Sequence, residues 1–263
     1  MTASTAPDWP AGALAPAAGA APLGRMLAAQ TATELRLTLR RGESVLLTLV
    51  IPVVLLVLFA AVPLVDLGPG RRVDFLVPGL LSLAVMSTAF TGQAIATGYE
   101  RHYGVLKRLG ATALPRWALL VAKTAAVLAV EVLQVVVLAV VGLALGWRPH
   151  GSVVGALLLV VLGTAAFSGL GLLMAGLLRA EVTLAAANLV YVLLLVVGGV
   201  VFPLTKFPPG VRSALVLLPV TALSDGLRAV LRAGEGMPLH ALVVLVVWAV
   251  GSLTLAALTF RWE

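Results

Sequence analysis

The sequence predicts an all-α integral membrane protein with six transmembrane helices. Composition is the first observation: 61% of the 263 residues are hydrophobic and only 11% are charged, whereas a soluble domain is about 45–50% apolar and about 25% charged. Six apolar runs also reach the roughly 20 residues that cross a bilayer as a helix. The short alternating segments that build a transmembrane β-barrel do not occur in the sequence. Only a surface that faces lipid accommodates so much apolar sequence.

The chain divides into a tail and one transmembrane domain. Residues 1–24 are rich in alanine, proline and glycine and are predicted to be disordered. Residues 25–263 form a single domain with six predicted spans. These are residues 46–65, 75–97, 117–146, 152–177, 182–202 and 239–260.

Two further segments are predicted to be helical without crossing the bilayer. In residues 27–43, three leucines recur near helical spacing while Glu34 and several arginines lie on other faces, which favours an amphipathic helix on the inner leaflet. Residues 211–219 are apolar but too short to span, so a re-entrant or surface helix is expected on the outer side.

Basic residues predict the orientation, since they are enriched in cytoplasmic loops. With the N-terminus inside, the outer side contains few basic residues except in the long segment 203–238. Both termini are therefore expected in the cytoplasm, and the net charge of +7 reflects this bias instead of nucleic-acid binding. The basic residues expected inside are Arg25, Arg36, Arg40, Arg41, Arg101, Lys107, Arg108, Arg116, Arg179 and Arg261.

The absence of cysteine excludes several kinds of chemistry. A chain with no cysteine has no disulfide, no thiolate metal ligand and no cysteine nucleophile. We predict neither a metal site nor catalytic residues.

The segment between the second and third spans, Tyr99 to Trp117, is the most informative part of the chain. Val105, Leu106 and Leu109 can share one helical face, while Lys107 and Arg108 point elsewhere. A short charged helix on the cytoplasmic side is suited to contact with a soluble partner. The alternative is a loop that follows the positive-inside rule and has no partner.

Polar residues inside the predicted spans are candidates for a translocation path. Glu131 lies near the middle of the third span, and a carboxyl group there is costly unless it is paired, hydrated or protonated. The alternative is a structural hydrogen bond to a neighbouring helix. The candidate path residues are Thr88, Thr91, Gln93, Glu131, Gln134, Asn188 and Tyr191.

An intramembrane serine protease is a rival interpretation, because such enzymes have six spans with a serine in the fourth and a histidine in the sixth. Ser168 and His240 occupy those spans here. The predicted topology places Ser168 roughly 24 Å below the outer surface at helical rise, while His240 lies at that surface. A nucleophile must lie within about 3 Å of its base, so this interpretation is disfavoured.

Two motifs resemble those of ABC-2 type transporter permeases. The first is the run Glu100-Arg101, then Gly104 to Leu109, then Leu114-Pro115-Arg116, although Val105 replaces the usual threonine. The second follows Phe202-Pro203-Leu204, where Pro219, Asp225 and Arg228 match the family pattern. Order, spacing and the number of spans agree from about residue 25 to residue 260.

The resemblance implies the membrane subunit of a bacterial ABC exporter of the drug-resistance type, in the cytoplasmic membrane. Such subunits form homo- or heterodimers, work with a separate ATP-binding subunit, and move small amphipathic, lipid-like or drug-like cargo. It implies an outer re-entrant region that contains Pro203, Pro219, Asp225 and Arg228. The implied ATPase-coupling helix contains Glu100, Arg101, Gly104, Leu106, Lys107, Arg108 and Leu109.

The source of energy follows partly from the residues themselves. The chain contains no G-x-x-x-x-G-K-[ST] phosphate-binding loop. No cofactor is therefore expected on this chain, and Mg-ATP would bind the partner subunit. A secondary transporter driven by an ion gradient is the alternative, with Glu131 as its proton site.

Overall fold

The structure is a computed structural model that describes residues 20–40, 42–62, 70–200, 203–231 and 236–259. The regular elements in these ranges are all helical. A π-helix (Met86–Gly92) connects α3 to α4, and a 3-10 turn (Leu204–Lys206) precedes α9. The α-helices are α1 (Leu23–Arg40), α2 (Gly42–Ala61), α3 (Arg72–Val85), α4 (Gln93–His102), α5 (Val105–Gly110), α6 (Arg116–Ala144), α7 (Val153–Leu177), α8 (Ala180–Val197), α9 (Pro209–Leu215), α10 (Pro219–Leu231) and α11 (Leu239–Thr259).

Residues 1–19 of the predicted tail lie outside the described residues. The helix α1 begins at Leu23, inside the last part of that predicted tail. The carbonyl of Pro22 accepts the first hydrogen bonds of the helix, from the backbone N–H groups of Arg25 and Met26.

Five helical segments are long and apolar enough to cross a membrane. They coincide with the predicted second to sixth spans, so a multi-pass membrane protein is confirmed. They are Arg72–His102, Arg116–Ala144, Val153–Leu177, Ala180–Val197 and Leu239–Thr259.

The sixth crossing stays a prediction. The predicted first span, 46–65, overlaps α2, but the apolar part of α2 that the structure describes, Thr48–Ala61, is shorter than a span. The bent pair α9 and α10 would add a sixth segment if it crosses as one unit.

The second spanning segment, Arg72–His102, is interrupted by the π-helix at its centre. In a π-helix the hydrogen bonds join residues five apart, which accommodates one extra residue in the turn. Gly171 of α7 lies directly against this turn: a Cβ at that position would lie 2.8 Å from the Phe90 carbonyl oxygen and 3.2 Å from that of Ala89. The absence of a side chain therefore lets α7 pack against the irregular backbone.

Helix α7 is the central helix of the bundle, and its glycines allow close packing on other faces as well. A Cβ on Gly169 would overlap the side chain of Ser252 in α11. A Cβ on Gly163 would lie 2.8 Å from the side chain of Leu223 in α10. Small residues at such contacts let helix backbones approach closely, which is how helices associate without a hydrophobic driving force.

Segment 203–231 contains more helical structure than its sequence predicts. Residues 211–219 were expected as one short re-entrant or surface helix, but α9 and α10 meet at a bend of 90°. Most residues of α10 are buried, including Leu223, Leu227 and Val230, and the helix packs on α3 and α7. The sequence does not predict α10, because Ser224, Asp225 and Arg228 interrupt its apolar pattern.

A separate group of buried residues, here called the basal cluster, lies at the end of the bundle that contains α5. It joins α5 to α6, α7 and α11, and Met26 and Leu27 of α1 pack against it. It consists of Leu106, Leu114, Ala118, Leu119, Leu120, Leu172 and Ala256.

Replacing Gly171 with valine is expected to lower the free energy of unfolding by about 1–3 kcal/mol, because the new side chain must displace the π-helix backbone. Gly251→Val in α11 is the matched control, since no heavy atom lies within 4 Å of a Cβ there. Thermal unfolding of both variants in mild detergent measures the difference. Equal losses would contradict the proposed contact.

Candidate functional site

The segment that resembles a coupling helix divides between two helices. Glu100 and Arg101 lie in the last turn of α4, which ends at His102. Gly104 follows in the left-handed conformation with φ of 68°, which glycine adopts without a steric penalty. The remaining residues of the predicted set, Leu106, Lys107, Arg108 and Leu109, lie in α5.

Helix α5 has one buried face and one exposed face. Leu106 is fully buried in the basal cluster, and Leu109 packs at its edge. Lys107 and Arg108 are exposed, and the side chain of the preceding Tyr103 is 70% exposed. A basic and aromatic surface is thus available to a partner, while the leucines anchor the helix to the bundle.

Glu100 belongs to an ion-pair network that we call the charge cluster: Glu34, Glu100 and Lys123. The ammonium of Lys123 donates to Oε2 of Glu34 at 3.0 Å and to Oε2 of Glu100 at 2.5 Å. The exposed fractions of the lysine, Glu34 and Glu100 side chains are 4%, 11% and 14%. Gln30 donates to the other oxygen of Glu34 at 2.8 Å. The cluster joins α1, α4 and α6.

Arg101 forms a second tie from the end of α4. Its Nη1 donates to the carbonyl oxygens of Ala175 at 2.9 Å and Gly176 at 2.6 Å, in the last turn of α7. Carbonyls at the end of a helix have no partner within that helix, and a cation there is favourable. Glu100 and Arg101 therefore contact the bundle itself, and their role in docking a partner stays a prediction.

A cavity of about 270 Å³ lies beside the charge cluster. Its lining residues come from α1, α2, the π-helix with α4, and α6. Two of the predicted path residues, Thr88 and Gln93, line it. The charge cluster also lines it, so the cavity combines ionic, polar and apolar walls.

Gln134 lies behind the cavity and connects three helical segments. Its Nε2 lies 2.9 Å from Oγ1 of Thr88 in the π-helix. The same nitrogen donates to the backbone carbonyl of Thr48 in α2 at 3.2 Å. Both Gln134 and Thr88 are buried, so this predicted path residue forms hydrogen bonds to the cavity wall.

Glu131 is buried between α6 and α7. Thr164 of α7 donates a hydrogen bond to Oε2 of Glu131, whereas Oε1 is buried without a hydrogen-bond partner. The hydrogen bond from Thr164 matches the alternative of a structural bond to a neighbouring helix. The role of Glu131 in transport stays a prediction.

The remaining predicted path residues lie apart from the cavity. Thr91, in the π-helix, has a buried hydroxyl without a partner but does not line the cavity. Asn188 of α8 is exposed and donates to the carbonyl of Leu184 in its own helix at 3.0 Å. Tyr191 is half-buried, with its hydroxyl hydrogen-bonded to Ser87. The structure therefore does not bring the seven residues into one site.

Arg228 connects α10 to the rest of the bundle. Its guanidinium lies 3.7 Å from the centre of the Phe75 ring and donates to the carbonyl of Val200 at 2.9 Å. It also pairs with Asp225, one helical turn away, at 2.9 Å. Pro219 begins α10, and Pro203 precedes the 3-10 turn. These contacts fix α10 against α3.

The two residues of the rival protease interpretation do not form a catalytic pair. Ser168 is fully buried and donates to Oε1 of Gln93 at 2.9 Å. His240 is exposed in the first turn of α11. The serine hydroxyl is therefore directed to an amide oxygen and not to an imidazole.

Sequence reasoning missed the pairing of Glu34 with Lys123. The sequence predicts Glu34 on a polar face of an amphipathic helix, without a partner in the third span. Glu34 is instead the buried residue of α1, while Leu37 and Leu39 are 46% and 49% exposed. An available signal was the position of Lys123, which lies two turns inside an apolar helix and therefore requires an anion nearby.

Comparison with known proteins yields one family. The family model described as ABC-2 type transporter matches residues 27–231, which is more than half of the chain. No curated protein matches the chain significantly.

Lys123→Met is expected to lower the free energy of unfolding by about 3 kcal/mol or more, because it leaves two buried carboxylates without a counter-ion. The triple variant Glu34→Gln, Lys123→Met, Glu100→Gln should recover most of this loss, since it removes all three charges together. Lys107→Met, at an exposed position of α5, is the control. Denaturation in detergent measures all three, and a triple variant less stable than Lys123→Met would refute the charge cluster as the cause.

Proposed function

The chain belongs to the ABC-2 type transporter family, and from this we propose that it is the membrane-spanning permease subunit of an ATP-driven exporter. In this proposal a separate ABC subunit binds and hydrolyses Mg-ATP. Two permease copies, identical or different, pair around the transport path. The sequence contains no phosphate-binding loop of the P-loop type, which supports a division of labour between two polypeptides.

The observation that carries the proposal is the exposed surface of α5 together with its connections. Lys107 and Arg108 are exposed, and Leu106 anchors the helix in the basal cluster. Directly before α5, Glu100 and Arg101 connect the end of α4 to α6 and α7. A partner that displaces α5 would therefore act on several helices at once, as coupling to ATP hydrolysis requires.

The proposed cargo is a small amphipathic molecule, lipid-like or drug-like, so the exporter would be of the drug-resistance type. The cavity beside the charge cluster supports this, because most of its exposed wall area is apolar while polar and charged side chains also line it. Such a composition is typical of sites for small organic ligands.

The proposed location is the cytoplasmic membrane of a bacterium, with both termini inside. Met26 and Leu27 of α1 and Ala257 near the end of α11 all pack against the basal cluster that contains Leu106. The two ends of the described chain therefore share the side of α5. Exposed basic residues on that side, including Lys107, Arg108 and Arg179, favour a cytoplasmic orientation.

Reversing the charge of α5 with Lys107→Glu and Arg108→Glu is expected to remove the ATP-binding subunit from the purified complex. Both side chains are exposed, so the fold should persist. Arg25→Glu with Arg179→Glu reverses two other exposed arginines on the same side and should retain the subunit. Affinity purification from the native host in mild detergent, followed by mass spectrometry, distinguishes the two.

A contrary outcome favours the ion-gradient alternative. If wild type purifies without any ATPase and moves cargo in liposomes on a proton gradient alone, the chain is a secondary transporter. Glu131, with its buried unpartnered oxygen, would then be the residue to substitute.

Single-cysteine labelling tests the orientation, since the natural sequence contains no cysteine. Arg148→Cys, between α6 and α7, should react with a membrane-impermeant maleimide in spheroplasts. Tyr103→Cys, between α4 and α5, should react only after the membrane is permeabilised. Both positions are exposed, and the unsubstituted chain is the background control. The reverse labelling pattern would place α5 outside and exclude contact with a cytoplasmic ATPase.

A further inference from the structure

We infer that the cavity between α1, α2, α4 and α6 is a binding site for a small amphipathic monocation with a hydrogen-bond acceptor near its charge. This specifies a ligand class for the exporter proposed above and rests on that proposal only for the transport step. Binding itself requires no partner subunit. Four features of the cavity wall carry the inference.

The first feature is a polar stripe along α4. Gln93, Thr97 and Glu100 all line the cavity, and they recur at spacings of four and three residues, which places them on one helical face. The remaining faces of α4 contact other helices, with Gly98 lying against Thr183 of α8. A polar stripe inside a membrane protein faces the interior or a ligand, because lipid cannot satisfy it.

The second feature is that two polar atoms of this stripe lack partners. Gln93 is 5% exposed; its Oε1 accepts from Ser168, but its Nε2 is buried without a partner. Thr97 is 1% exposed, and its Oγ1 is also unpartnered. Buried polar groups in native structures are nearly always hydrogen-bonded; since both side chains belong to the cavity lining, an acceptor in the cavity is the candidate partner for the two atoms.

The third feature is the net charge at one end of the cavity. The charge cluster contains one ammonium and two carboxylates, which leaves one negative charge. Lys123 is the sole cationic side chain among the lining residues that the structure describes. Glu34 and Glu100 retain some exposure, 11% and 14% of their side chains, so a ligand cation can approach the carboxylates.

The fourth feature is the apolar part of the cavity wall. Ala126, Val127 and Val130 of α6 and Leu37 of α1 line the cavity and would contact the apolar body of a ligand. Thr97 lies three residues before Glu100, roughly 4.5 Å along the helix axis. The ligand would therefore have its acceptor about one helical turn from its cation.

Tetracaine has these properties: a tertiary ammonium at neutral pH, an ester group joined to it through two carbons, and a butylaminophenyl body. Its 3-methylbutyl ester analogue has nearly the same shape without the charge. We expect purified chain in lipid nanodiscs to bind tetracaine about tenfold more tightly than the neutral analogue. Intrinsic tetracaine fluorescence reports binding, and protein-free nanodiscs correct for partition into lipid.

Three substitutions locate the site. Thr97→Val should weaken tetracaine binding about fivefold, whereas Thr91→Val, which removes a buried unpartnered hydroxyl outside the cavity, should not.

Glu34→Gln should abolish the preference for the charged ligand, because it leaves Lys123 with one carboxylate. Ala96→Phe should block the cavity for both ligands, whereas Ala129→Phe, at an exposed position of α6, should not. Thermal unfolding of each variant verifies that it is folded.

Either of two results would overturn the inference: equal affinity of wild type for the two ligands, or tetracaine binding that persists in folded Ala96→Phe and Thr97→Val. These results are independent of the proposed function. A chain that binds tetracaine as expected but purifies without an ATPase retains the site and loses the exporter assignment. A chain that purifies with its ATPase but binds the two ligands equally retains the exporter assignment and loses the proposed site.

Discussion

The architecture depends on the requirement that the buried ammonium of Lys123 be neutralised by nearby carboxylates. A lysine two turns inside an apolar helix is costly unless anions reach it. Glu34 and Glu100 satisfy this requirement from two other helices, with N–O distances of 3.0 and 2.5 Å. The ends of α1, α4 and α6 are therefore fixed together, and both the cavity and the start of α5 lie beside that junction.

The packing around α7 imposes the second constraint. Helix α7 contains no charged residue, and its glycines allow close contact with α10, α11 and the π-helix. Arg101 then joins its last turn to α4. The charge cluster and α7 are thus both joined to α4, and the short helix α5 begins shortly after α4 ends. A displacement of α5 would therefore act on both the charge cluster and the packing of α7.

Much of this fold could be predicted from the sequence, because transmembrane helices are determined by length and hydropathy. Five of the predicted spans coincide with helices of the structure, and the family resemblance at Glu100–Arg116 agrees with the matched family. The charge cluster could not be predicted, since Lys123 meets its two partners, 89 and 23 positions away along the chain, only through three-dimensional packing. Helix α10 was missed because Ser224, Asp225 and Arg228 interrupt its apolar pattern; in the structure Ser224 and Arg228 hydrogen-bond to backbone carbonyls of the segment that follows α8. The predicted path residues lie at several places because equal polarity does not imply a common face.

The π-helix has a consequence for how the chain can change in length. Its seven residues, Met86–Gly92, contain one residue more than a regular α-helix would need over the same rise. Because the extra residue is accommodated within the turn, deletion of one residue there would restore regular winding while α3 and α4 keep their orientations. Gln93, Thr97 and Glu100 would then still face the cavity. A deletion within the regular part of α4 would instead rotate the residues that follow by about 100° and move Glu100 away from Lys123. The loss of one residue is therefore far more tolerable in this turn than in the helix that follows it.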